Sequence, residues 1–426
     1  MKYCFFLLLF LVTEIMVAQG GTLDATFNGN GRVLATFNVF DSAVHSMLLQ
    51  PDGKIIAGGT VSNHGLFSQF GLARFFSDGT PDPTFGTGGL VIGNFSTAQI
   101  SLSSALLQSS GKIVTGGIVY NDYLDSQFVL TRFNNDGSFD NSFGTAGLVL
   151  RNFLNIKSII AQPDEKILVA GFSIATPDRD FVLLRFNPNG SVDNSFGTNG
   201  VVTTSIGAKD FAHDITLQAD GKIVLAGAVK NSDGEYHSDF AIVRYFGDGN
   251  LDTSFGTNGI KIINIDEMDE AQSVKVQSDG KIVFSGWSSS ISGQTTSFQV
   301  IRLFPNGDID TAFGESGVFS SPIIFNSHEQ LIQIQSDAKI LVVGAVATTS
   351  AYDVAIIRLL PNGSPDTTFG TNGVVVTTDG PETSSQANCV LIQPDGKILI
   401  GGESGEGLMS YHPHFVIQRY DSGSGR

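Results

Sequence analysis

Side chains suited to ligand recognition are concentrated in seven short segments of variable sequence. These segments hold the only tryptophan, five of the eight tyrosines and four of the seven histidines. Tyrosine, tryptophan and histidine combine a flat apolar surface with a polar atom, which suits the binding of sugars and peptides. The alternative is that these rings pack loop against loop. The residues predicted to bind a ligand are Trp287, Tyr120, Tyr123, Tyr236, His237, Tyr352, Tyr411 and His412.

Two further histidines could take part in proton transfer. His45 and His213 each lie five residues before a glutamine that recurs seven times, and the other units carry a polar residue at that place. If the strand ending at the glutamine is innermost, the seven side chains form a polar ring at the mouth of a central channel. An unperturbed imidazole titrates near neutral pH, which makes these two the best titratable candidates of the ring. A lone strand histidine is, however, more often a hydrogen-bonded structural residue. We add both histidines to the predicted ligand-binding residues. No catalytic residue is assigned, because the sequence has no nucleophile motif, phosphate-binding loop or H-E-x-x-H motif.

The recurring glutamine belongs to a repeated unit. The motif L-Q-x-D-G-K-I returns, with small changes, at intervals of 54 to 59 residues. An arginine after alternating apolar residues and a D-x-x-F motif also occur seven times each. The glutamines are Gln50, Gln108, Gln162, Gln218, Gln277, Gln335 and Gln393, and the arginines are Arg74, Arg132, Arg185, Arg244, Arg302, Arg358 and Arg419.

Each unit predicts four short strands, which we name a to d in chain order. In the fourth unit, segments 212–218, 222–227, 239–245 and 260–265 are rich in Val, Ile and Phe. The D-G pair after the first segment supplies the positive φ that a tight hairpin needs. Several strands are apolar at consecutive positions, which indicates burial on both faces. The pattern favours an all-β fold, a seven-bladed β-propeller of four-stranded blades, with a linear β-solenoid as the alternative.

The antiparallel strand order separates the loops into two groups. The a–b and c–d turns, which carry the repeated motifs, fall on one face. The variable b–c and d–a loops share the other. Because variable loops on a rigid frame are where binding residues usually sit, we expect the ligand on the b–c/d–a face.

The two ends of the chain complement one another. Residues 414–426 stop soon after the last arginine, whereas residues 21–38 begin with the D-x-x-F turn and the d strand that the last unit lacks. We predict that 21–38 pairs with 385–420, completes the C-terminal blade and closes the ring, which removes two exposed sheet edges. On this interpretation residues 21–426 form one propeller, and no sorting or anchoring domain follows it.

Residues repeated seven times are interpreted as scaffold. Arginine is a fork-shaped donor, and we predict that it pairs with the D-x-x-F aspartate eight residues later. Another acidic or carbonyl partner is the alternative. The phenylalanine of the motif is predicted to fill the seam between blades. Glu165 and Ala338 replace the hairpin glycine in the third and sixth units, so we expect those hairpins to be looser or to use another turn type.

Charge and an N-terminal signal limit the classes of partner. The net charge of −17 repels nucleic acid and anionic lipid, so neither is expected to bind. Residues 1–20 combine Lys2, an apolar run too short to span a bilayer and small residues at the exit, which predicts a signal peptide and a secreted or surface-associated protein. Only Cys389 remains after cleavage, and we interpret it as a packing residue. We expect a monomer without membrane insertion.

Acidic residues are frequent in the predicted d–a loops, and oxygen-rich clusters can hold calcium. No full D-x-D-x-D-G spacing appears, so a solvated acidic surface is the preferred interpretation, and no cofactor is predicted. The acidic residues of the predicted d–a loops are Asp210, Asp266, Glu267, Asp269, Glu270, Glu329, Asp379 and Glu382.

The three-part pattern resembles the delta-60 repeat of secreted and surface-associated bacterial proteins. It reads L-Q-x-D-G-K-I-x-x-x-G, then F-x-x-x-R, then D-G-S-x-D-x-x-F-G-T-x-G. The resemblance covers nearly the whole chain after residue 20, implies a propeller-like fold and export, and transfers no catalytic residue. We therefore expect a non-enzymatic binding or adhesion module for extracellular glycan or protein. The alternatives are a propeller enzyme acting on extracellular glycans at the channel mouth and a purely architectural surface module.

Overall fold

The alternating apolar sequence forms β-strands throughout the described chain. The computed structural model describes residues 20–37, 41–62, 68–93, 99–122, 125–152, 154–174, 178–230, 237–290, 296–323, 331–347, 351–378, 383–406 and 411–423. Within these ranges there are 28 strands and no helix. The predicted signal peptide lies outside the described residues, except for Gly20.

The strands form seven four-stranded antiparallel blades. The first strand, β1 (Arg32–Ala35), belongs to the last blade. Blade 1 contains β2 (Asp41–Leu49), β3 (Ile55–Ser62), β4 (Ser68–Phe75) and β5 (Leu90–Gly93). Blade 2 contains β6 (Gln99–Leu107), β7 (Ile113–Asp122), β8 (Asp125–Phe133) and β9 (Leu148–Asn152). Blade 3 contains β10 (Leu154–Ala161), β11 (Ile167–Ser173), β12 (Phe181–Phe186) and β13 (Val201–Thr204). Blade 4 contains β14 (Lys209–Leu217), β15 (Ile223–Lys230), β16 (Ser238–Tyr245) and β17 (Ile260–Ile263). Blade 5 contains β18 (Met268–Val276), β19 (Ile282–Ser289), β20 (Thr296–Leu303) and β21 (Val318–Ser320). Blade 6 contains β22 (Leu331–Ile334), β23 (Ile340–Ala347), β24 (Tyr352–Leu359) and β25 (Val374–Thr377). Blade 7 contains β26 (Thr383–Ile392), β27 (Ile398–Glu406), β28 (Tyr411–Tyr420) and β1.

The middle strands of each blade are buried on both faces. In blade 3, every residue of β12 and all but the last residue of β11 are buried. This explains the consecutive apolar residues in the sequence, because each sheet is covered by a neighbour on both sides. The core is accordingly divided into clusters at the seams. The cluster around Phe85, for example, joins Ile56 of blade 1 to Ile113 of blade 2. The predicted seven-bladed propeller is confirmed.

The repeated arginine fastens each blade to the next. Its Nε lies 2.7–2.9 Å from an oxygen of the D-x-x-F aspartate in all seven blades, which confirms the predicted pair. The guanidinium also lies over the motif phenylalanine, 4.4–4.8 Å from the ring centre. Its Nη1 donates to a backbone carbonyl of the following blade, as Arg132 does to Pro188 at 2.6 Å. One planar guanidinium thus donates hydrogen bonds both to a buried carboxylate of its own blade and to a backbone carbonyl of the next blade.

The N-terminal strand completes the last blade. β1 pairs antiparallel with β28, with Arg32 opposite Gln418 and Ala35 opposite Phe415. The Gly21 amide also donates to the Asp421 carbonyl at 2.7 Å. This confirms the predicted closure of the ring by the N-terminal strand.

Two hairpins keep the repeated turn without its glycine. Glu165 and Ala338 have φ values of 68° and 65°, in the left-handed region that Gly53 occupies in blade 1. Their amides donate to the motif glutamine carbonyl at 2.9 Å, as the Gly53 amide does. The expectation of a looser or different turn is therefore wrong. The flanking strands impose the turn, and these two residues bear the steric cost of a positive φ.

Candidate functional site

A β-bulge interrupts the innermost strand of every blade in which this part of the strand is described. In each, one residue of strand a has no partner on strand b, so the register shifts around it. These residues form most of the polar ring predicted from the sequence, and Gln330 of blade 6 lies outside the described residues. The bulge residues are His45, Ser103, Lys157, His213, Gln272 and Asn388.

The glycine that ends the hairpin motif is what the bulge requires. In blade 4, a Cβ on Gly227 would lie 1.8 Å from the Phe211 carbonyl oxygen, far inside van der Waals contact. The corresponding distance is 1.8–2.1 Å in the five other blades where it is described. A side chain cannot fit there, so the last glycine of L-Q-x-D-G-K-I-x-x-x-G permits the bulge. The sequence contained this signal, but it does not by itself reveal a bulge.

All six bulge side chains line one cavity on the propeller axis. The cavity has a volume of about 560 Å³ and is lined by residues of all seven a strands. Strand a is therefore innermost, as the ring hypothesis required. Tyr120, at the end of β7 that leads into a b–c loop, also lines the cavity and is 41% exposed. Burial raises the pKa of its phenol.

A histidine and a glutamate meet across the seam between blades 4 and 5. His213 Nε2 lies 2.8 Å from Glu270 Oε1, and Gln272 Nε2 donates to the same oxygen at 3.0 Å. Burial raises the pKa of Glu270, but the close contact with His213 and the hydrogen bond from Gln272 together outweigh burial, so the pKa is lower than usual. A carboxylate that holds one ring nitrogen fixes the imidazole orientation and leaves the other nitrogen to accept or donate a proton.

Asp214 connects three blades next to this pair. Its carboxylate accepts hydrogen bonds from Ser158 of blade 3 at 3.0 Å and from the Val274 amide of blade 5 at 2.9 Å. Lys275 Nζ lies 3.0 Å from the same carboxylate. In blades 1 and 2 a serine holds this position and accepts an amide from the next blade. The sequence signal for this cluster is the single acidic residue at a position otherwise occupied by Ser, Cys or, in blade 6, Leu.

The remaining ring members differ in charge. His45 is neutral at physiological pH, because burial lowers its pKa to about 4. Lys157 is exposed in the cavity and forms no ion pair with any described residue. A neutral imidazole and an unpaired ammonium thus lie in the same ring as the His213–Glu270 pair.

The other predicted binding residues are not brought to this cavity in the described part of the chain. Trp287 in β19, Tyr352 in β24 and His237 before β16 are half-buried and do not line it. The buried indole nitrogen of Trp287 has no hydrogen-bond partner among the described residues. Tyr123 and Tyr236 lie outside the described residues, as do the side chains of Tyr411 and His412. Their roles stay predictions.

Three acidic residues assigned to d–a loops belong to strands instead. Asp210 is the second residue of β14, and Asp269 and Glu270 lie in β18. The Asp210 and Asp269 side chains are completely buried, so a solvated acidic surface is wrong for them. Each accepts backbone amides of the preceding loop; the Ile206 amide donates to Asp210 at 2.6 Å. Burial raises the pKa of both carboxyl groups to about 6.

Neither a metal cluster nor a membrane-spanning helix is found in the described residues. No group of three or more His, Cys, Asp or Glu side chains there could hold a metal ion. No helix in those ranges is long and apolar enough to cross a bilayer. Calcium binding by the acidic loops stays a prediction, since Glu329, Asp379 and Glu382 lie outside the described residues.

The fold and the cavity define a seven-bladed β-propeller with a polar central channel. Seven segments match the model of a domain of unknown function, the DUF5122 β-propeller: residues 50–85, 108–143, 162–196, 218–255, 277–313, 335–369 and 393–423. The chain belongs to this family. No curated protein sequence matches it.

Solved structures that are similar to this chain have low sequence identity to it. The polysaccharide lyase Uly1 is 10% identical, with 91% of this chain and 92% of that chain covered and a TM-score of 0.53. A catalytically inactive virginiamycin B lyase from Staphylococcus aureus is 10% identical over 92% of this chain and 98% of that chain, with a TM-score of 0.49. The β-propeller domain of the Trilobed protease from Pyrococcus furiosus is 11% identical over 92% and 97%, with a TM-score of 0.48.

Proposed function

We propose that this protein is an exported, non-enzymatic propeller that binds an extracellular glycan or protein at its b–c/d–a face. The ligand enters the axial cavity, where the six bulge residues contact it. Tyr120, Trp287 and Tyr352, which lie near the strand ends that lead into or out of the variable b–c loops, extend the surface. Of the two ligand classes we favour a glycan, because the cavity is lined by Ser, Asn, Gln and His side chains that suit hydroxyl groups.

One observation carries this proposal. The scaffold repeats its arginine, aspartate, lysine and glycine in all seven blades, whereas the residue at the bulge changes from blade to blade. A bulge orients its side chain away from the ladder, and bulges are frequent beside functional sites. Residues that depart from the repeat while lining one cavity are therefore where a ligand is selected.

A channel-filling variant tests the proposal. Ser103→Trp places a large ring in the cavity, and Ile262→Trp adds the same ring at an outer position that is 46% exposed. On a glycan array and in a pull-down from extracellular extracts, we expect Ile262→Trp to bind like the unmodified protein and Ser103→Trp to lose binding. Equal binding by both variants would contradict the proposal that the ligand enters the axial cavity.

The export of the protein is part of the same proposal. The N-terminal apolar segment and the resemblance to the delta-60 repeat support secretion or surface association. Expression of the full chain with its N-terminal segment, followed by fractionation and N-terminal sequencing of the extracellular product, tests cleavage near residue 20.

An enzyme is the second candidate, favoured by the 2.8 Å contact between His213 and Glu270. An oriented imidazole in a polar cavity could serve as a general base or acid in glycan cleavage. The polysaccharide lyase named above supports only the compatibility of such a fold with glycan chemistry. Incubation with polysaccharides, followed by assays for new reducing ends and for unsaturated product ends, tests this candidate. Activity that persists in His213→Ala removes its chief residue.

A further inference from the structure

We propose that the ligand is an anionic glycan, with its carboxylate or sulfate group on Lys157 and a sugar ring against Tyr120. This inference rests on the proposed function and specifies the chemistry of the same cavity. Lys157 is the bulge residue of β10, between Ser103 of blade 2 and His213 of blade 4 in the ring. The bulge directs it into the cavity, where it is exposed.

The charge balance of the cavity points to Lys157 as the anion-binding group. The other lysine of the lining, Lys275, is paired with Asp214 at 3.0 Å. The second carboxylate, Glu270, lies 2.8 Å from His213 Nε2 and accepts a hydrogen bond from Gln272. Both carboxylates of the lining are therefore engaged, and Lys157 has no carboxylate partner among the described residues.

An unpaired ammonium in a concave site is an unusual feature of so acidic a protein. The net charge of −17 gives a surface that repels anions at long range. A cation that selects an anionic group must then act at short range, through charge-assisted hydrogen bonds within the cavity. Binding of this kind contributes more to the discrimination between charged and neutral sugars than to the rate of association.

Groups beside Lys157 complete a site for a sugar. Tyr120 projects from the adjacent blade into the same cavity with 41% of its surface exposed, and an exposed aromatic ring offers a flat apolar face to a pyranose. Asn155 lies two residues before Lys157 in the lining, and its buried Oδ1 has no hydrogen-bond partner among the described residues. A buried acceptor of this kind is satisfied by a ligand hydroxyl. The volume of about 560 Å³ falls in the usual range of ligand pockets, about 300–1,000 Å³.

Calorimetric titration with three matched hexasaccharides tests the inference. They are built from galacturonic acid, from sulfated galactose and from neutral galactose. We expect one or both anionic oligosaccharides to bind tighter than the neutral one. In Lys157→Gln the anionic affinity should fall by about ten- to hundredfold, because a charge-assisted hydrogen bond is lost. The affinity for the neutral oligosaccharide should be unchanged in Lys157→Gln, and Lys157→Arg should retain the affinity for the anionic oligosaccharides.

The controls separate this inference from the proposed function. Lys261→Gln removes a lysine of the outer strand β17 and should change nothing, and the exposed position of Lys157 leaves the fold intact in its variants. A preference for the carboxylated or the sulfated sugar identifies the source of the anionic group. Equal binding of neutral and anionic sugars, or unchanged binding in Lys157→Gln, overturns the inference and leaves glycan binding standing. No binding of any oligosaccharide by the unmodified protein overturns both.

Discussion

Arg419 Nε lies 2.7 Å from Asp24 Oδ2, so the last blade is joined by an ion pair between residues close to opposite ends of the described chain. The pair has the same form as the six others, with Phe27 under the guanidinium at 4.6 Å. Arg419 Nη1 then donates to the Ser77 carbonyl of blade 1 at 2.5 Å. The seam that closes the ring is therefore built with the same contacts as the seams within the chain.

Removal of the N-terminal strand should open the ring. Deleting residues 21–37 removes β1 and exposes the edge of β28, together with the surface that covered Val33 and Ala35, which are 3% and 5% exposed. We expect a large fall in melting temperature, because ladder hydrogen bonds and buried apolar area are lost together. Leu34→Ala, at a side chain 56% exposed, is the matched control and should melt normally. An unchanged melt in the deletion would contradict closure.

The closing ion pair should be distinguishable from an internal one. Asp24→Asn and Asp82→Asn each leave a buried arginine without its carboxylate, which costs about 3–5 kcal/mol. Asp24 holds the separate strand β1, whereas Asp82 lies within a continuous blade. Hydrogen exchange should therefore increase at Arg32–Ala35 in Asp24→Asn and not in Asp82→Asn. The prediction fails if both variants show the same exchange at β1.

The bulge glycine should not tolerate a methyl group. Gly227→Ala would place its Cβ 1.8 Å from the Phe211 carbonyl oxygen, so β14 and β15 must separate. We expect a loss of more than about 4 kcal/mol in the free energy of unfolding. Gly88→Ala is the control, with nothing within 4 Å of its Cβ and a φ of 63°, and should cost about 1–2 kcal/mol. Chemical denaturation measures both, and a small effect at Gly227 would speak against the bulge geometry.

Relief of the strained hairpin should stabilise the protein. Ala338 has a φ of 65° at a position where five blades carry glycine. Ala338→Gly removes the steric penalty, and we expect a gain of about 1 kcal/mol after the larger entropy of the unfolded chain is subtracted. The reverse change, Gly53→Ala in blade 1, should destabilise by a similar amount. A loss of stability in Ala338→Gly would contradict this account.

The buried aspartates of blades 4 and 5 should make the protein less stable as pH rises. Burial raises the pKa of Asp210 and Asp269 from 3.8 to about 6. The folded state therefore binds their protons more tightly than the unfolded state. Their stabilising contribution is complete below pH 3.8 and is lost as pH rises through 6.

A double asparagine variant isolates this effect. Asp210→Asn with Asp269→Asn keeps an acceptor but does not titrate, so we expect a smaller decrease in unfolding free energy between pH 4 and pH 7 than in the unmodified protein. The difference should be on the order of 1–3 kcal/mol per group. The control is Glu267→Gln, at an exposed residue of the loop before β18. Identical pH profiles for the unmodified protein and the double variant would contradict the raised pKa values.

The repeat made most of the scaffold predictable. Seven copies of three motifs determined the number of blades, the arginine–aspartate pairs and the closure of the ring, because these features depend on contacts within a unit or between successive units. The hairpins at Glu165 and Ala338 were predicted wrongly, since the flanking strands impose a turn that the local residues disfavour. Asp210 and Asp269 were assigned to loops because acidic residues are usually exposed. Both are buried in strands, where backbone amides donate hydrogen bonds to their carboxylates.

The sequence by itself determined which residues repeat and which position of strand a varies from blade to blade. Only the tertiary structure decided what those varying residues do. It placed His213 against Glu270, surrounded Asp214 with donors from two other blades, and left Lys157 without a partner among the described residues. The physical reason is that a repeat specifies neighbouring contacts along the chain, whereas the cavity collects one strand from every blade. The charges that meet there depend on the bulge, on side-chain reach and on the curvature of the closed ring.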